Sequence, residues 1–356
     1  MAPPKLLGTS ELADLLGITR QAVSNMRTRN AEFPAPVAEL KAGPVWNEED
    51  IVKWAQSENV KLDRSKLHAV HPPSKKAVTL CFVNMKGGVG KSTLTANLGW
   101  WFAYQMQKKV LLVDLDPQFN LSQYVLGIDK YEALINDDKP TVVSILEELT
   151  PAVISHEDKK NKESSRSAIF RARSWSGGGR MDVIPSRLEL AWSLKNPHFK
   201  DHLLSKFLKK VAPEYDLILI DCPPTESILT EAAYLASDYV VVPVKPDFFS
   251  AIGLPLLARS LNDFKKRYED HDIHLAGILF NSILEYNSEH QKSKNLVLAT
   301  AKKHGWHVFH NAISYSDSYP KGARMGKPIF STAYARWEKR AELAHVAREL
   351  AERIHL

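Results

Sequence analysis

The chain has 356 residues, of which 44% are hydrophobic and 25% charged, and its formal net charge is +6. These values are typical of a globular protein with a sizeable core and room for two or more domains. No apolar run is long enough to cross a membrane, and the start has no signal-peptide core. The two cysteines, Cys81 and Cys222, lie in apolar stretches without C-x-x-C spacing, so we expect no metal or redox role and a reducing cytoplasm.

The first 58 residues are predicted to form a small separate domain. Apolar spacing indicates helices over residues 10–16, 20–27 and 48–56, with Thr19 as N-cap of the second and a strand at 45–46 before the third. This order resembles the winged helix-turn-helix DNA readers of the MerR and excisionase type. The resemblance implies DNA contacts from the polar side chains of the second helix. The candidates are Arg20, Gln21, Ser24, Asn25 and Arg27.

Residues 59–76 are predicted to be a basic linker. They hold five basic residues against Asp63 and include the run His71-Pro72-Pro73-Ser74. A polar, proline-containing stretch of this kind is typical of a connection between domains. We therefore expect the second domain to cover residues 77–356.

From residue 77 onward, short apolar runs alternate with amphipathic helical patterns. The predicted strands are 77–84, 109–115, 181–185, 216–221, 238–244, 273–280 and 306–309. The predicted helices are 92–107, 141–149, 200–211, 226–236, 250–268, 288–303 and 334–354. This alternation predicts a doubly wound, mostly parallel α/β sheet with right-handed crossovers. Residues 151–179 interrupt the pattern with Lys, Ser, Glu, Arg and Gly, and we expect them to be a flexible surface insertion of open role.

A glycine-rich run lies between the first of these strands and the first of these helices. Glycines let the backbone approach a phosphate closely, the N–H groups then point at the anion, and the helix N-terminus favours negative charge. The run consists of Lys86, Gly87, Gly88, Val89, Gly90, Lys91, Ser92 and Thr93. Lys91 is placed to reach the β- and γ-phosphates of a nucleotide, and the Ser92 hydroxyl to bind Mg²⁺. The alternative, a glycine turn with incidental lysines, does not account for this order of residue types.

Three acidic residues follow apolar strands at the edge where ligands sit in open α/β sheets. Asp114 and Asp116 stand at the end of the strand predicted at 109–115 and point the same way because they are two residues apart. Asp221 ends the strand predicted at 216–221, which is the arrangement of a Walker B aspartate that holds Mg²⁺. The alternative, aspartates that only cap a turn, is weaker beside the glycine-rich run.

With these motifs the chain resembles the ParA/MinD branch of P-loop ATPases. The pattern G-x-x-x-x-G-K-[ST] would have glycine where this chain has Met85, followed by Lys86, which is the deviant Walker A form. The resemblance implies slow, Mg²⁺-dependent ATP hydrolysis by a homodimer that encloses two ATP molecules, with Lys86 reaching the partner's phosphates. It also implies that Asp116 orients the attacking water, that Asp114 supports the metal and that Asn281 contacts adenine. With the N-terminal reader, the chain resembles the larger plasmid type of ParA.

Positive charge is concentrated toward the C-terminus. Residues 301–340 hold eight Lys and Arg against two acids, which suggests a polyanionic partner. Relatives in the ParA family bind DNA without sequence preference through C-terminal basic residues, so the resemblance implies the same contacts here. The candidates are Lys302, Lys303, Lys321, Arg324, Lys327, Arg336 and Arg340. The alternative is a solvated basic face.

The leading hypothesis is a DNA-partitioning ATPase that associates with the nucleoid in the cytoplasm. ATP would close a dimer on non-specific DNA, a ParB-like centromere-binding partner would stimulate hydrolysis and release, and the N-terminal domain would regulate its own operon. A sequence-specific regulator or a phage-defence ATPase with the same fold is left open. A MinD-like membrane positioner is disfavoured, because the amphipathic tail at 341–356 carries three glutamates against two arginines.

Overall fold

The computed structural model describes residues 6–30, 32–40, 43–58, 60, 77–147, 166–193, 201–284, 286–333 and 335–356. The chain divides into two compact units, Met1–Ser74 and Lys75–Leu356. The linker predicted at 59–76 lies outside the described residues except for Val60, which packs against the core of the first unit.

The described part of the first unit combines helices with a three-stranded antiparallel sheet in the order β1-β3-β2. Its strands are β1 (Leu6–Gly8), β2 (Ala38–Leu40) and β3 (Gly43–Asn47), and its helices are α1 (Thr9–Leu16), α2 (Arg20–Arg29) and α3 (Glu48–Ser57). The sequence analysis predicted the central strand β3 but neither of its neighbours. Three residues are too few to show a period-2 apolar pattern, so β1 and β2 gave no signal.

An aromatic cluster forms the centre of this unit. The Phe33 ring meets those of Trp46 and Trp54 edge-on, with centroids 6.1 and 4.8 Å apart. The buried Trp46 indole N–H donates to the Pro34 carbonyl at 3.0 Å, so its polar atom is satisfied inside the core. The Thr19 hydroxyl accepts the Ala22 N–H at 3.2 Å and thereby caps the N-terminus of α2.

The second unit is built on a seven-stranded sheet in the order β10-β9-β4-β8-β5-β7-β6. The strands are β4 (Val78–Phe82), β5 (Lys109–Asp114), β6 (Phe170–Ser174), β7 (Arg180–Ile184), β8 (Leu217–Asp221), β9 (Tyr239–Val244) and β10 (His274–Phe280). All neighbouring strands pair in parallel except the edge strand β6, which is antiparallel to β7. The predicted doubly wound, mostly parallel sheet is confirmed.

Alternate residues of each central strand pack into two hydrophobic clusters, one on each face of the sheet. On β4, Leu80 and Phe82 belong to one cluster, whereas Cys81, together with Val83 directly after the strand, belongs to the other. Because both faces are covered, strands such as β8 are buried at every position. Apolar runs of this kind therefore lie in the middle of the sheet, and their carboxyl ends meet at one edge.

Helices pack on both faces of this sheet. They are α4 (Lys91–Gln105), α5 (Asn120–Leu126), α6 (Ile128–Asn136), α7 (Val142–Glu147), α8 (Leu190–Ser193), α9 (Asp201–Val211), α10 (Ile228–Ala236), α11 (Phe248–Arg267), α12 (Ser288–His304), α13 (Ser318–Arg324) and α14 (Trp337–Arg353). The helices predicted from apolar spacing occur within a few residues of the expected bounds. The sequence analysis missed the shorter helices α5, α6, α8 and α13. No helix in the described part of the chain has the length and apolar character that crossing a membrane requires.

The structure corrects two expectations about the edges of the sheet. Residues 306–309 do not form a strand: Val308 makes only an isolated parallel bridge with Ile278, in which the Ile278 N–H donates to the His307 carbonyl and the Phe309 N–H to the Ile278 carbonyl. The following N–H groups, those of His310 and Asn311, donate to Glu349. Residues 166–179, expected to be part of a flexible insertion, contain β6 and its turn into β7. Residues 151–165 of that insertion lie outside the described residues.

Candidate nucleotide site

The glycine-rich run forms the connection from β4 to α4 at the carboxyl edge of the sheet. Gly88 and Gly90 have φ values of +73° and +91°, in the left-handed region that favours glycine. Gly90 is the N-cap residue of α4, and no side chain caps this helix end. The first N–H groups of α4 are therefore available to an anion, as in a phosphate-binding loop.

Lys91 is buried beneath this loop. Its Nζ donates to the carbonyls of Asn84 at 3.1 Å and of Lys86 at 3.3 Å, so the side chain at the start of α4 is tied to the first residues of the loop. Burial lowers the pKa of Lys91, and the negative charges of Asp221 and Asp116 oppose that change. Lys91 is thus held at the loop and lies near Asp221 and Asp116, and its contact with a phosphate stays a prediction.

Asp114 and Asp221 stand opposite each other in the register of β5 and β8. The Asp114 carboxylate accepts hydrogen bonds from the Ser122 N–H at 2.9 Å, the Ser122 hydroxyl at 2.6 Å and the Asp116 N–H at 3.0 Å. Burial nevertheless raises the pKa of Asp114 to about 7. The Ser122 donors come from α5, which the sequence analysis did not predict.

Asp221 differs from Asp114 because its carboxylate has no such donors. Both of its oxygens are buried and, among the described residues, make no well-formed hydrogen bond. Burial and the charge of Asp114 raise the pKa of Asp221 well above its usual range, while the nearby Ser92 hydroxyl and Lys91 ammonium oppose the change. An orphaned carboxylate beside a hydroxyl suits a hard divalent cation such as Mg²⁺, which prefers oxygen ligands. The residues present therefore fit the magnesium ion that the motif implies.

These groups line a cleft of about 650 Å³. Of the predicted site residues, its wall includes Gly87, Gly88, Gly90, Lys91, Ser92, Thr93, Asp116 and Asn281. The wall also contains side chains that the sequence analysis did not single out, among them Gln123, Tyr124, Ile128, Tyr315, Tyr319 and Pro320. They come from α5, α6 and the segment around α13, so no local motif marked them. The cleft is large enough for a nucleotide with its phosphates at the loop.

Asn281 lies directly after β10, and its side chain forms a hydrogen bond with the glycine-rich loop. Its Nδ2 donates to the Val89 carbonyl at 2.8 Å, and its backbone N–H donates to the Val244 carbonyl at 2.9 Å. A Cβ on Gly90 would overlap the Asn281 amide nitrogen. The side chain predicted to contact adenine is thus already engaged with the loop, and its contact with a base stays a prediction.

Lys86 forms an ion pair with Asp247, at the approach to α11. Both side chains are about one-third exposed, at 32% and 30%. Within one chain, Lys86 is therefore held by the carboxylate of a residue that is 161 positions away in sequence. A contact of Lys86 with a partner's phosphates requires this pair to separate.

The predicted DNA-contacting residues are exposed in both units. On α2, Val23 is buried while all five candidates, Arg20, Gln21, Ser24, Asn25 and Arg27, face solvent. In the second unit the exposed candidates are Lys302, Lys303, Lys321, Arg324, Lys327, Arg336 and Arg340. Lys302 and Lys303 lie in the last turn of α12, and Arg324 also lines the nucleotide cleft.

Comparison with known proteins bears directly on this site. A family model described as an AAA domain matches residues 77–275. A ParA family protein of the virulence plasmid of Chlamydia psittaci is 32% identical over 222 residues, covering 62% of this chain and 74% of the relative. The chain belongs to the ParA family of P-loop ATPases.

Two further relatives match over 57% and 80% of this chain. The sporulation initiation inhibitor protein Soj of Bacillus subtilis is 32% identical over 214 residues, covering 57% of this chain and 72% of Soj. An uncharacterized protein of Mycobacterium tuberculosis is 32% identical over 291 residues, 80% of each chain. The N-terminal winged helix-turn-helix stays a prediction from the sequence pattern.

Solved structures with the same fold include nucleotide complexes. An ATP complex of McdA from Cyanothece superimposes with a TM-score of 0.60 at 18% identity, over 79% of this chain and 97% of McdA. Cobyrinic acid a,c-diamide synthase from Mycobacterium smegmatis, bound to an ATP analogue and magnesium, gives a TM-score of 0.53 at 26% identity, over 69% of this chain and 90% of the synthase. Nucleotide and magnesium binding is therefore a property of this fold family.

Proposed function

We propose that this ParA-family protein is a DNA-partitioning ATPase with two functional parts. The ATPase domain covers residues 77–356, and a DNA reader covers 1–58, joined by the basic linker at 59–76. The observation that carries the proposal is the buried Asp221 carboxylate, which lies beside Ser92 and Lys91 at the loop that also bears Lys86. The partition role is supported by relatives named as ParA family and Soj proteins.

In the proposed reaction the chain positions ATP and neutralises its charge. The loop N–H groups and Lys91 hold the phosphates, and Asp116, which is 7% exposed and lines the cleft, orients the attacking water. Mg²⁺ would be held by Ser92 and Asp221, with Asp114 in support, and would neutralise charge on the β- and γ-phosphates. Phosphoryl transfer needs positioning and charge rather than a covalent intermediate, so these groups suffice for slow intrinsic turnover.

Lys86, the extra lysine of the deviant Walker A motif, makes the proposed active form a homodimer. Lys86 leaves Asp247 when ATP is bound and contacts the phosphates of the partner subunit, so two nucleotides lie between two subunits. This adds positive charge where negative charge develops in the transition state. A ParB-like protein on a centromere would stimulate hydrolysis and dissolve the dimer.

The dimer binds DNA without sequence preference through the exposed basic residues of α12, α13 and the start of α14. Lysine and arginine that neutralise phosphates release counterions, so the affinity falls steeply with salt. The exposed face of α2 binds a specific operator and supplies autoregulation. Together these contacts place the protein on the nucleoid in the cytoplasm.

The deciding experiment measures binding to random-sequence duplex DNA by fluorescence anisotropy, with ATP, with ADP and without nucleotide, over a salt series. We expect tight binding with ATP only, a steep salt dependence, and at least about tenfold weaker binding by Lys91→Ala and Lys86→Ala. Lys209→Ala, an exposed basic residue on α9 outside the proposed interface, is the matched control and should bind as the wild type does. Binding that ignores nucleotide, or that is confined to one sequence, would contradict the proposal and favour a sequence-specific regulator.

A further inference from the structure

A cluster of metal-ligating side chains lies outside the nucleotide cleft. His307, His310 and Glu349 each offer one ligand atom, and these atoms lie within 4.8 Å of one another. Residues 307 and 310 follow α12, whereas Glu349 lies near the end of α14, so the cluster joins two segments about forty residues apart in sequence. None of the three residues lines the cleft of the P-loop.

Both histidines converge on one oxygen of Glu349. His307 Nε2 lies 3.3 Å from Oε1, and His310 Nδ1 lies 3.1 Å from the same atom. In a tetrahedral zinc site with bonds of about 2.0–2.1 Å, neighbouring ligand atoms are separated by roughly 3.3 Å. The distances from each histidine nitrogen to Oε1 therefore match those between ligands around one small cation, and the two histidine nitrogens lie within 4.8 Å of each other.

Backbone and amide N–H groups hold Glu349 in place. Its Oε2 accepts the Asn311 Nδ2 at 2.7 Å and the Asn311 N–H at 3.0 Å, and Oε1 accepts the His310 N–H at 2.7 Å. The carboxylate is only 10% exposed, whereas the His310 side chain is 85% exposed. Two histidines and a carboxylate would therefore occupy one side of a cation, and the open side toward solvent admits water as a fourth ligand.

From this geometry we infer that His307, His310 and Glu349 form a binding site for a divalent transition-metal ion, with Zn²⁺ as the best match to its ligands. The ion ties α14 to the segment after α12. Since α14 packs on α4, which begins at the P-loop, the ion stiffens the face of the molecule that supports the nucleotide site. This inference is independent of the proposed partition function.

The test uses the full-length chain without a histidine tag. Zinc stoichiometry and affinity are measured by competition with a chromophoric chelator, in the absence of nucleotide. We expect one equivalent that His310→Ala weakens at least about tenfold. His310 is exposed, so its replacement leaves the fold intact. His345→Ala, which removes another exposed histidine of α14, is the matched control and should retain the equivalent.

Two further readouts separate a metal ligand from a purely structural histidine. Co²⁺ should give a visible absorption band that is present in the wild type and His345→Ala and absent in His310→Ala. Zinc should raise the melting temperature of the wild type but not of His310→Ala. Failure of the wild type to bind zinc, or equal binding by His310→Ala, would overturn the inference. Loss of the equivalent in Asp221→Asn, which removes a proposed magnesium ligand, would instead assign the ion to the nucleotide site and would also overturn the inference.

Discussion

Gly90 carries the tightest constraint in the nucleotide site. It combines a φ of +91° with a position where a Cβ would overlap the Asn281 amide, which donates to the neighbouring Val89 carbonyl. A side chain at this position would strain the backbone and would overlap the Asn281 side chain, which is itself hydrogen-bonded. Asn281 therefore acts on the phosphate loop, whether or not it also touches a base.

Gly90→Ala should lower the free energy of unfolding by about 2 kcal/mol, because the left-handed backbone is strained and the Asn281 hydrogen bond is displaced. It should also abolish ATP binding. Thermal unfolding without nucleotide and a fluorescent-nucleotide titration measure the two effects. Gly87→Ala is the matched control: Gly87 has no left-handed φ and no atom near its added Cβ, so the unfolding free energy should change by less than about 0.5 kcal/mol. Equal stability of the two variants would contradict the role assigned to Gly90.

Among the elements, the N-terminus of α12 shows how a helix is fixed to the edge of the site. Asn287 caps α12 by accepting the N–H groups of Glu289 and His290 at 2.9 and 3.3 Å. His290 is buried, and its Nδ1 accepts the Leu284 N–H at 3.1 Å. This arrangement needs Nδ1 unprotonated, so the loop between β10 and α12 depends on the charge state of one histidine.

The pKa of His290 is lowered by burial and by the Lys245 charge, although Asp247 opposes the change. As the pH falls below the ordinary histidine value of 6.5, the unfolded chain takes up this proton before the folded chain does. His290 therefore supports stability above that pH, and its contribution is lost as the pH falls.

We expect His290→Asn, which keeps an acceptor but cannot titrate, to reduce this loss. Urea unfolding over a pH series should show a smaller fall in the free energy of unfolding for His290→Asn than for the wild type between about pH 7 and pH 5. His345→Asn, at an exposed position of α14, should follow the wild type. Parallel curves for all three proteins would show that His290 is not the titrating group.

At the scale of the whole molecule, each unit has a core of its own. The core of the first unit includes Leu12, Trp46 and Ile51, and the second unit has two large clusters on the two faces of its sheet. A protein whose units hold separate cores can divide its tasks between them. The proposed function does so, with sequence-specific reading in the first unit and nucleotide-dependent binding in the second.

Residues 75–356, expressed alone, should unfold cooperatively and keep ATP-dependent binding to random DNA, because the nucleotide site and the C-terminal basic residues all lie within them. The fragment should lose any preference that the full chain shows for a particular sequence. Thermal unfolding and anisotropy with random and with operator DNA measure both effects. If the fragment kept the sequence preference, the first unit would not be the part that recognises a specific DNA sequence.

The sequence by itself determined the parts of this protein that are contiguous in the chain. The phosphate loop, the apolar strands and the acids at their ends are local patterns, and parallel strands bring those ends to one edge. The Lys86–Asp247 pair, the hydrogen bond of Asn281 with the loop, the Ser122 donors on Asp114 and the His307–His310–Glu349 cluster were decided only by the tertiary structure. Each joins segments that are separate in sequence, and their contact depends on how helices pack against the sheet. The same reason explains the edge strands: β6 pairs with β7, whereas residues 306–309 make only an isolated bridge with β10, and both outcomes depend on partners that are distant in sequence.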